Sequence, residues 1–275
     1  MATPPKAGPY VLGSADAEHD RLIRQGKRLG FYTERLFRDA GIGPGQRVLD
    51  VGSGMGDVAL LAARLVGPTG YVVGVDRDAG ALAKAQARAA EAGLTHLRFI
   101  ESDVAEVTAD MSFDAVVGRF VLMFQPDPLA LLRILAAHLR PGGTIVFQEA
   151  SFPPFLSQIA HLPLWTAAAA LVAEGLRRGG ARTDMGLVLF RGFQDAGFPM
   201  PTMRLDVAID QGVDTRRWLD DLIRTLQPRF GELGLSHESV GDPETLGDRL
   251  ERELAETRSY AVGVGMFGAW SRKPS

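Results

Sequence analysis

The sequence predicts an α/β domain whose mostly parallel sheet is covered by helices on both faces. Three observations predict it. Short β-branched runs alternate with helix-forming segments from about residue 44 to about residue 150, the pattern of consecutive βα units. One such run, Val48-Leu49-Asp50-Val51, passes directly into Gly52-Ser53-Gly54-Met55-Gly56-Asp57 and then into a helical segment ending near Val66. And 275 residues, 46% of them hydrophobic, bury a full core without disulfide or metal staples.

Taken in order, the chain opens on a Pro/Gly-rich leader. Met1 to Tyr10 has no apolar core segment, so it reads as neither signal peptide nor anchor, and the protein is expected in the cytoplasm. Ser14 is the expected N-cap of a first helix running to about Ala40, with Asp16 and Glu18 favouring its first turn. Arg21, Arg24 and Arg28 form a stripe along that helix, expected to be solvated. Gly41-Ile42-Gly43-Pro44-Gly45 stops it. Strands are expected over about Arg47–Val51, Tyr71–Asp76, His96–Ile100, Phe113–Gly118 and Thr144–Gln148. Helices are expected between them over about Asp57–Val66, Asp78–Ala92 and Pro128–Leu139, with Gly93 as the C′ residue of the second.

The second half is less regular. Helices are expected over about Gln158–Arg178, Met185–Ala196, Thr215–Leu226 and Glu244–Thr257, and strands over about Met203–Ile209 and Tyr260–Trp270. Roughly fifty residues separate those two strands, far more than a hairpin loop, so the insertion is expected to cover a binding pocket. Ala150 to Ala173 carries no charge. Pro153, Pro154 and Pro163 interrupt it, so a buried cap is expected in place of a membrane helix.

Composition narrows the partners. A net charge of −3 gives no basic footprint for nucleic acid or an anionic membrane, which favours a small, neutral acceptor. The chain has no cysteine, which excludes disulfides and thiolate metal sites. None of its histidines, at 19, 96, 138, 161 and 237, has metal-ligand spacing to another. Self-association as a homo-oligomer stays open.

The glycine turn decides between cofactors. A dinucleotide fingerprint needs glycine at its first, third and sixth positions, and the sixth counted from Gly52 is Asp57, a carboxylate where phosphates would lie. An acidic residue, Asp50, followed by Gly52-Ser53-Gly54-Met55-Gly56, instead resembles motif I of the class I S-adenosylmethionine (SAM) dependent methyltransferases. The resemblance covers about Gly45 to Glu149 and implies a Rossmann-like seven-stranded sheet, mostly parallel with the last strand antiparallel, carrying helical cap insertions. It implies a cofactor core over residues 44–149, an N-terminal helical lid over 1–43, and the rest of the sheet with acceptor-covering insertions over 150–275.

Site residues follow from that resemblance and from the strand ends. Asp76 ends the second strand, where a carboxylate takes two hydrogen bonds from a ribose diol, and Arg77 adjoins it. Asp103 after the third strand is implied to accept from the adenine amine while Val104 packs on the ring. Arg119 reaches either the methionyl carboxylate or an acceptor anion, or pairs structurally with a neighbouring carboxylate. Tyr10, ahead of the first helix, is placed to fold across the cofactor and exclude water. A proton-accepting base, where the nucleophile needs one, would come from Glu149, His161 or His19, each of which also has a structural reading. Phe152, Phe155 and Trp165, with Trp218, Phe230 and Phe267, are expected to supply core and an apolar acceptor pocket.

The expectation is therefore SAM-dependent methylation of carbon, nitrogen or oxygen on a small, largely apolar acceptor. The Ala/Arg/Gly-rich composition suggests a GC-rich bacterial gene and a role in specialised metabolism. Two competitors remain: a methyltransferase fold that binds SAM for another purpose such as cyclisation, and a nicotinamide-dependent oxidoreductase, which Asp57 disfavours.

Overall fold

The computed structural model of the chain describes residues 10–13, 16–107, 112–210 and 213–275. Its order is α1 (Asp16–Asp39), β1 (Arg47–Val51), α2 (Asp57–Val66), β2 (Tyr71–Asp76), α3 (Ala79–Glu91), β3 (Leu97–Glu101), β4 (Phe113–Arg119), α4 (Pro128–His138) and β5 (Leu139–Ser151). There follow α5 (Phe152–Gln158), α6 (Pro163–Arg178), α7 (Gly186–Asp195), β6 (Thr202–Asp206), β7 (Ile209–Asp210), α8 (Val213–Leu226), α9 (Phe230–Leu233), α10 (Leu246–Thr257), β8 (Ala261–Val262) and β9 (Gly265–Arg272). Seven strands form one sheet in the order β3-β2-β1-β4-β5-β9-β6. β1 to β5 are mutually parallel, and β9 lies antiparallel between β5 and β6. This is the mixed sheet expected.

Alternation along the strands sets the two cores. Leu49, Val51, Val73, Val75, Val116, Ile145 and Phe147 face one buried cluster, which continues into the cap helices. Val48, Val72, Ala115, Val117 and Val146 face the other, against α2 and the end of α1. Parallel strands carry apolar residues on both faces for this reason. Each such Val, Leu, Ile or Phe side chain contributes about 1.5–3 kcal/mol on burial.

Most departures from the expected elements occur after β5. The helix expected from Gln158 begins only at Pro163, which cannot donate to a preceding turn and sits in the first turn of α6, and a separate unexpected helix, α5, ends at Gln158. The two expected late strands each break in two. Ile209 and Asp210 leave the main sheet to pair with Val262 and Ala261, and β9 starts afresh at Gly265. β5 is longer than expected, since Leu139 already pairs with Phe113 before a register shift. The expected N-cap Ser14 lies outside the described residues. No helix among the described residues is long and apolar enough to cross a membrane.

The arginine stripe of α1 is not a solvated face. Arg21 is 3% exposed and holds the buried Glu18 carboxylate through Nε at 2.6 Å and Nη2 at 2.7 Å. Arg28 lies over the Trp218 ring, 5.1 Å from its centroid. Arg24 alone of the three is exposed, paired with Asp221 on α8 at 2.8 Å. The charges face inward because the insertion brings α8 against α1, which sequence spacing does not reveal.

Candidate active site

At the C-terminal edge of β1, the chain turns through Gly52, Gly54 and Gly56 at φ of 65°, 48° and 79°. These are left-handed values that a residue with a Cβ adopts at a cost. The glycines differ in what surrounds them. A Cβ on Gly52 would stand 2.7 Å from Val121 Cγ2, so the wall after β4 presses on this turn. A Cβ on Gly54 would meet nothing within 4 Å, so that backbone is open for a ligand to lie against.

Asp76, at the end of β2, organises the turn. Its Oδ2 accepts from Gly54 N at 2.8 Å and its Oδ1 from Asp78 N at 3.0 Å. Each oxygen keeps acceptor capacity for a diol. Asp78 caps α3 by accepting from Ala81 N at 2.9 Å. Asp57 is held by Arg88 at 2.7 Å and covered by α1, where a Cβ on Gly26 would overlap its carboxylate.

The turn opens into a cavity of about 730 Å³. Of the residues expected to hold a cofactor, Tyr10, Gly52, Ser53, Gly54, Asp76, Arg77, Asp103, Val104 and Arg119 line it; Asp50 and Gly56 do not. Asp50 lies beneath the turn, 1% exposed. The Ala59 backbone N–H faces its carboxylate. Burial holds its pKa well above the usual carboxylate range, against the pull of Arg119. Burial in turn lowers the Arg119 pKa, opposed by Asp57 and Asp50. The Arg119 guanidinium donates to Thr33 Oγ1 of α1 at 3.1 Å.

The opposite flank is apolar. Phe120, Val121, Met123 and Phe124 follow β4, Ala150 lies near the end of β5, and Phe152, Leu176, Trp218, Leu222 and Val264 come from the cap and the insertion. Phe120 has φ 56°. A bulky residue held there is strained, and such strain concentrates at functional walls. Of the cap aromatics expected in the pocket, Phe152 and Trp218 line it, while Phe155, Trp165, Phe230 and Phe267 do not.

The three candidate bases separate. Glu149 is fully buried behind the wall, its Oε1 accepting from Val121 N at 3.0 Å and Leu122 N at 2.9 Å and its Oε2 from Met123 N at 3.2 Å. His161 is exposed and meets Ser259 Oγ at 2.8 Å, away from the cavity. His19 does line the cavity, with Nε2 3.2 Å from Asp78 Oδ2 and Nδ1 3.0 Å from Lys84 Nζ. The Tyr10 hydroxyl reaches Glu18 Oε1 at 3.4 Å and its ring meets Phe124 edge-on at 5.0 Å. Burial, then the Glu18 charge, raise its pKa.

A methyltransferase domain model matches residues 42–176, which contain the glycine turn, Asp76, Asp103 and the wall after β4. The chain belongs to the class I SAM-dependent methyltransferase family. An uncharacterized protein of Mycobacterium tuberculosis is 30% identical over 251 residues, covering 84% of this chain and 81% of its own. A demethylmenaquinone methyltransferase of Staphylococcus aureus is 33% identical over 146 residues, 52% of this chain and 60% of that one. Among solved structures, a SAM dependent methyltransferase from Aquifex aeolicus shares the fold at a TM-score of 0.53 and 14% identity, covering 94% of this chain and 99% of that one.

Sequence reasoning missed the part of this methyltransferase's cavity built by α1, where Glu18, Arg21, Leu22, Gln25 and Arg28 face inward. Their helical spacing was a visible signal. Their charge made the face look solvated.

Proposed function

We propose that this methyltransferase moves a methyl group from SAM to a small, largely apolar acceptor held between the cofactor turn and the cap. The observation that carries the reading is one continuous cavity with a glycine-and-carboxylate flank and an apolar flank, meeting at Arg119, Phe120 and Val121. The donor set fits SAM. Gly54 leaves room against its backbone, and Ser53, which lines the cavity, has a buried Oγ without a partner. In this reading Gly52, Ser53, Gly54 and Arg119 hold the methionyl part, Asp76 the ribose with Arg77 beside it, and Asp103 and Val104 the adenine.

Bound there, SAM would supply a methyl group on a positively charged sulfur, an electrophile that needs no further activation. The protein's work is alignment and exclusion of water. Phe120 and Met123 fix one side of the acceptor, and Phe152 and Trp218 close the other, so the nucleophile is presented in line and desolvated. His19 has both ring nitrogens facing neighbours, Asp78 and Lys84. Transfer without a protein base therefore suits this site best. The relative named for demethylmenaquinone supports a small-molecule acceptor. Incubation with methyl-labelled SAM and a panel of apolar metabolites, read by mass spectrometry, tests the reaction: a product heavier by one labelled methyl is expected. A cyclised or unchanged acceptor with no label would replace this reading with another use of the same fold.

The leader bears on the same reading. Val11 is buried against Gly179, where a Cβ would overlap it, and its carbonyl accepts from Arg229 Nη1 at 3.0 Å. Tyr10 thus stands as a wall anchored to α6 and the insertion. Deleting Met1 to Gly13 should leave a folded protein with weakened SAM affinity and little methyl transfer. Hydrogen exchange checks it: amides from Tyr10 to Leu22 should slow when SAM and acceptor bind, and unchanged rates would remove the lid role.

A further inference from the structure

The cavity's charges are divided between its two flanks. Its aspartates belong to one side: Asp57 opens α2, Asp76 ends β2, Asp78 caps α3, and Asp103 follows β3 at the sheet edge. Glu18, on the first turn of α1, is held by Arg21 and Tyr10, and His19 faces Asp78 and Lys84. The acceptor flank, built from the ends of β4 and β5, the cap and α8, contributes no carboxylate or imidazole to the cavity among the described residues. Glu149 stands behind that wall, spent on three backbone amides. What faces the apolar flank from α1 is Gln25 and, one turn on, Arg28. Arg28 has other interactions within the protein; the residue lines the cavity, with Nε and Nη1 buried and the guanidinium stacked over Trp218 at 5.1 Å.

A cation at an apolar wall with no base nearby selects for an anion with a flat body. Resting on the acceptor pocket described above, we propose that the acceptor is an acid already ionised at neutral pH, a carboxylic acid on a planar apolar frame, and that Arg28 recognises its charge. The chemistry then closes without a base. The anion's lone pair forms the new bond to the methyl carbon as the carbon–sulfur bond breaks, and that bond's electron pair stays on sulfur. The positive charge of the sulfonium and the negative charge of the acceptor cancel, and no proton has to leave.

The test uses two probes of one shape, 2-naphthoate and the neutral 2-naphthamide, titrated calorimetrically into the full-length protein at low salt. Wild type should bind the naphthoate about ten-fold tighter or more, as a charge-assisted contact gives. Arg28→Met should abolish the preference while leaving naphthamide binding in place. Arg28→Lys keeps the charge and should keep most of the preference, and raising salt on wild type should erode it. If Arg28→Met does not fold, the lysine variant and the salt series decide. Equal affinity of wild type for the two probes, no binding of naphthoate, an equal loss of both in Arg28→Met, or a preference insensitive to salt overturns the proposal. Because binding is read without turnover, a failure to detect methyl transfer would count against the functional reading and not against this one.

Discussion

Glu149→Ala is expected to destabilise the protein by about 3 kcal/mol and to loosen the wall after β4, because it leaves three buried N–H groups without an acceptor. The carboxylate grips Val121, Leu122 and Met123 at the start of the turn Leu122–Phe124. Those residues hold Phe120 in its strained conformation and Val121 against Gly52. Glu149→Gln is milder, since an amide oxygen at the Oε1 position keeps two of the bonds and only Met123 N–H faces an amino group. The pH dependence has a definite sign. Burial, outweighing the three amide bonds, pushes the Glu149 pKa from an ordinary 4.5 to about 7. A group raised in the folded state contributes stability that is fully present below pH 4.5 and lost as pH rises through about 7. Thermal unfolding measured across that window should show wild type losing stability relative to Glu149→Gln. Parallel curves would mean that the carboxyl titrates alike in folded and unfolded chains. In activity, a positioning role leaves the shape of the pH–rate profile intact in Glu149→Gln and raises the acceptor KM; a folded variant with no turnover at any pH would restore Glu149 as a base.

Asp76→Ala should weaken SAM binding by about 2 kcal/mol, roughly thirty-fold, with the fold retained. Two causes add. In the proposed site the ribose diol loses a charged acceptor, and Gly54 N loses its contact with Asp76 Oδ2 in the glycine turn. Calorimetry on the variant, with circular dichroism as the folding control, checks it. An unchanged dissociation constant would move the ribose contact to another residue.

The cofactor half was legible because its signals are local. β1 and β2 fall on the strands expected from β-branched runs, Gly93 adopts φ 68° past α3, and Asp78 caps that helix. Asp76 and Asp103 were placed by their position after consecutive strands, and both line the cavity. The acceptor half depends on contacts between segments far apart in sequence. Arg21 and Arg28 read as solvated until α8, some 200 residues further along, is seen packed on α1. Glu149 read as a candidate base because strand ends carry such groups, while the amides it binds belong to β4's exit. Asp50 carries the motif, yet it sits below the turn and out of the cavity.

The central claim is that the glycine turn is built for SAM and not for a dinucleotide. Calorimetric titration of the purified protein with SAM, with its demethylated product and with NADH tests it directly. Micromolar binding of SAM and of the product, with NADH scarcely bound, is the result that Gly52, Gly54 and the covered Asp57 predict; NADH binding more tightly than SAM would contradict it.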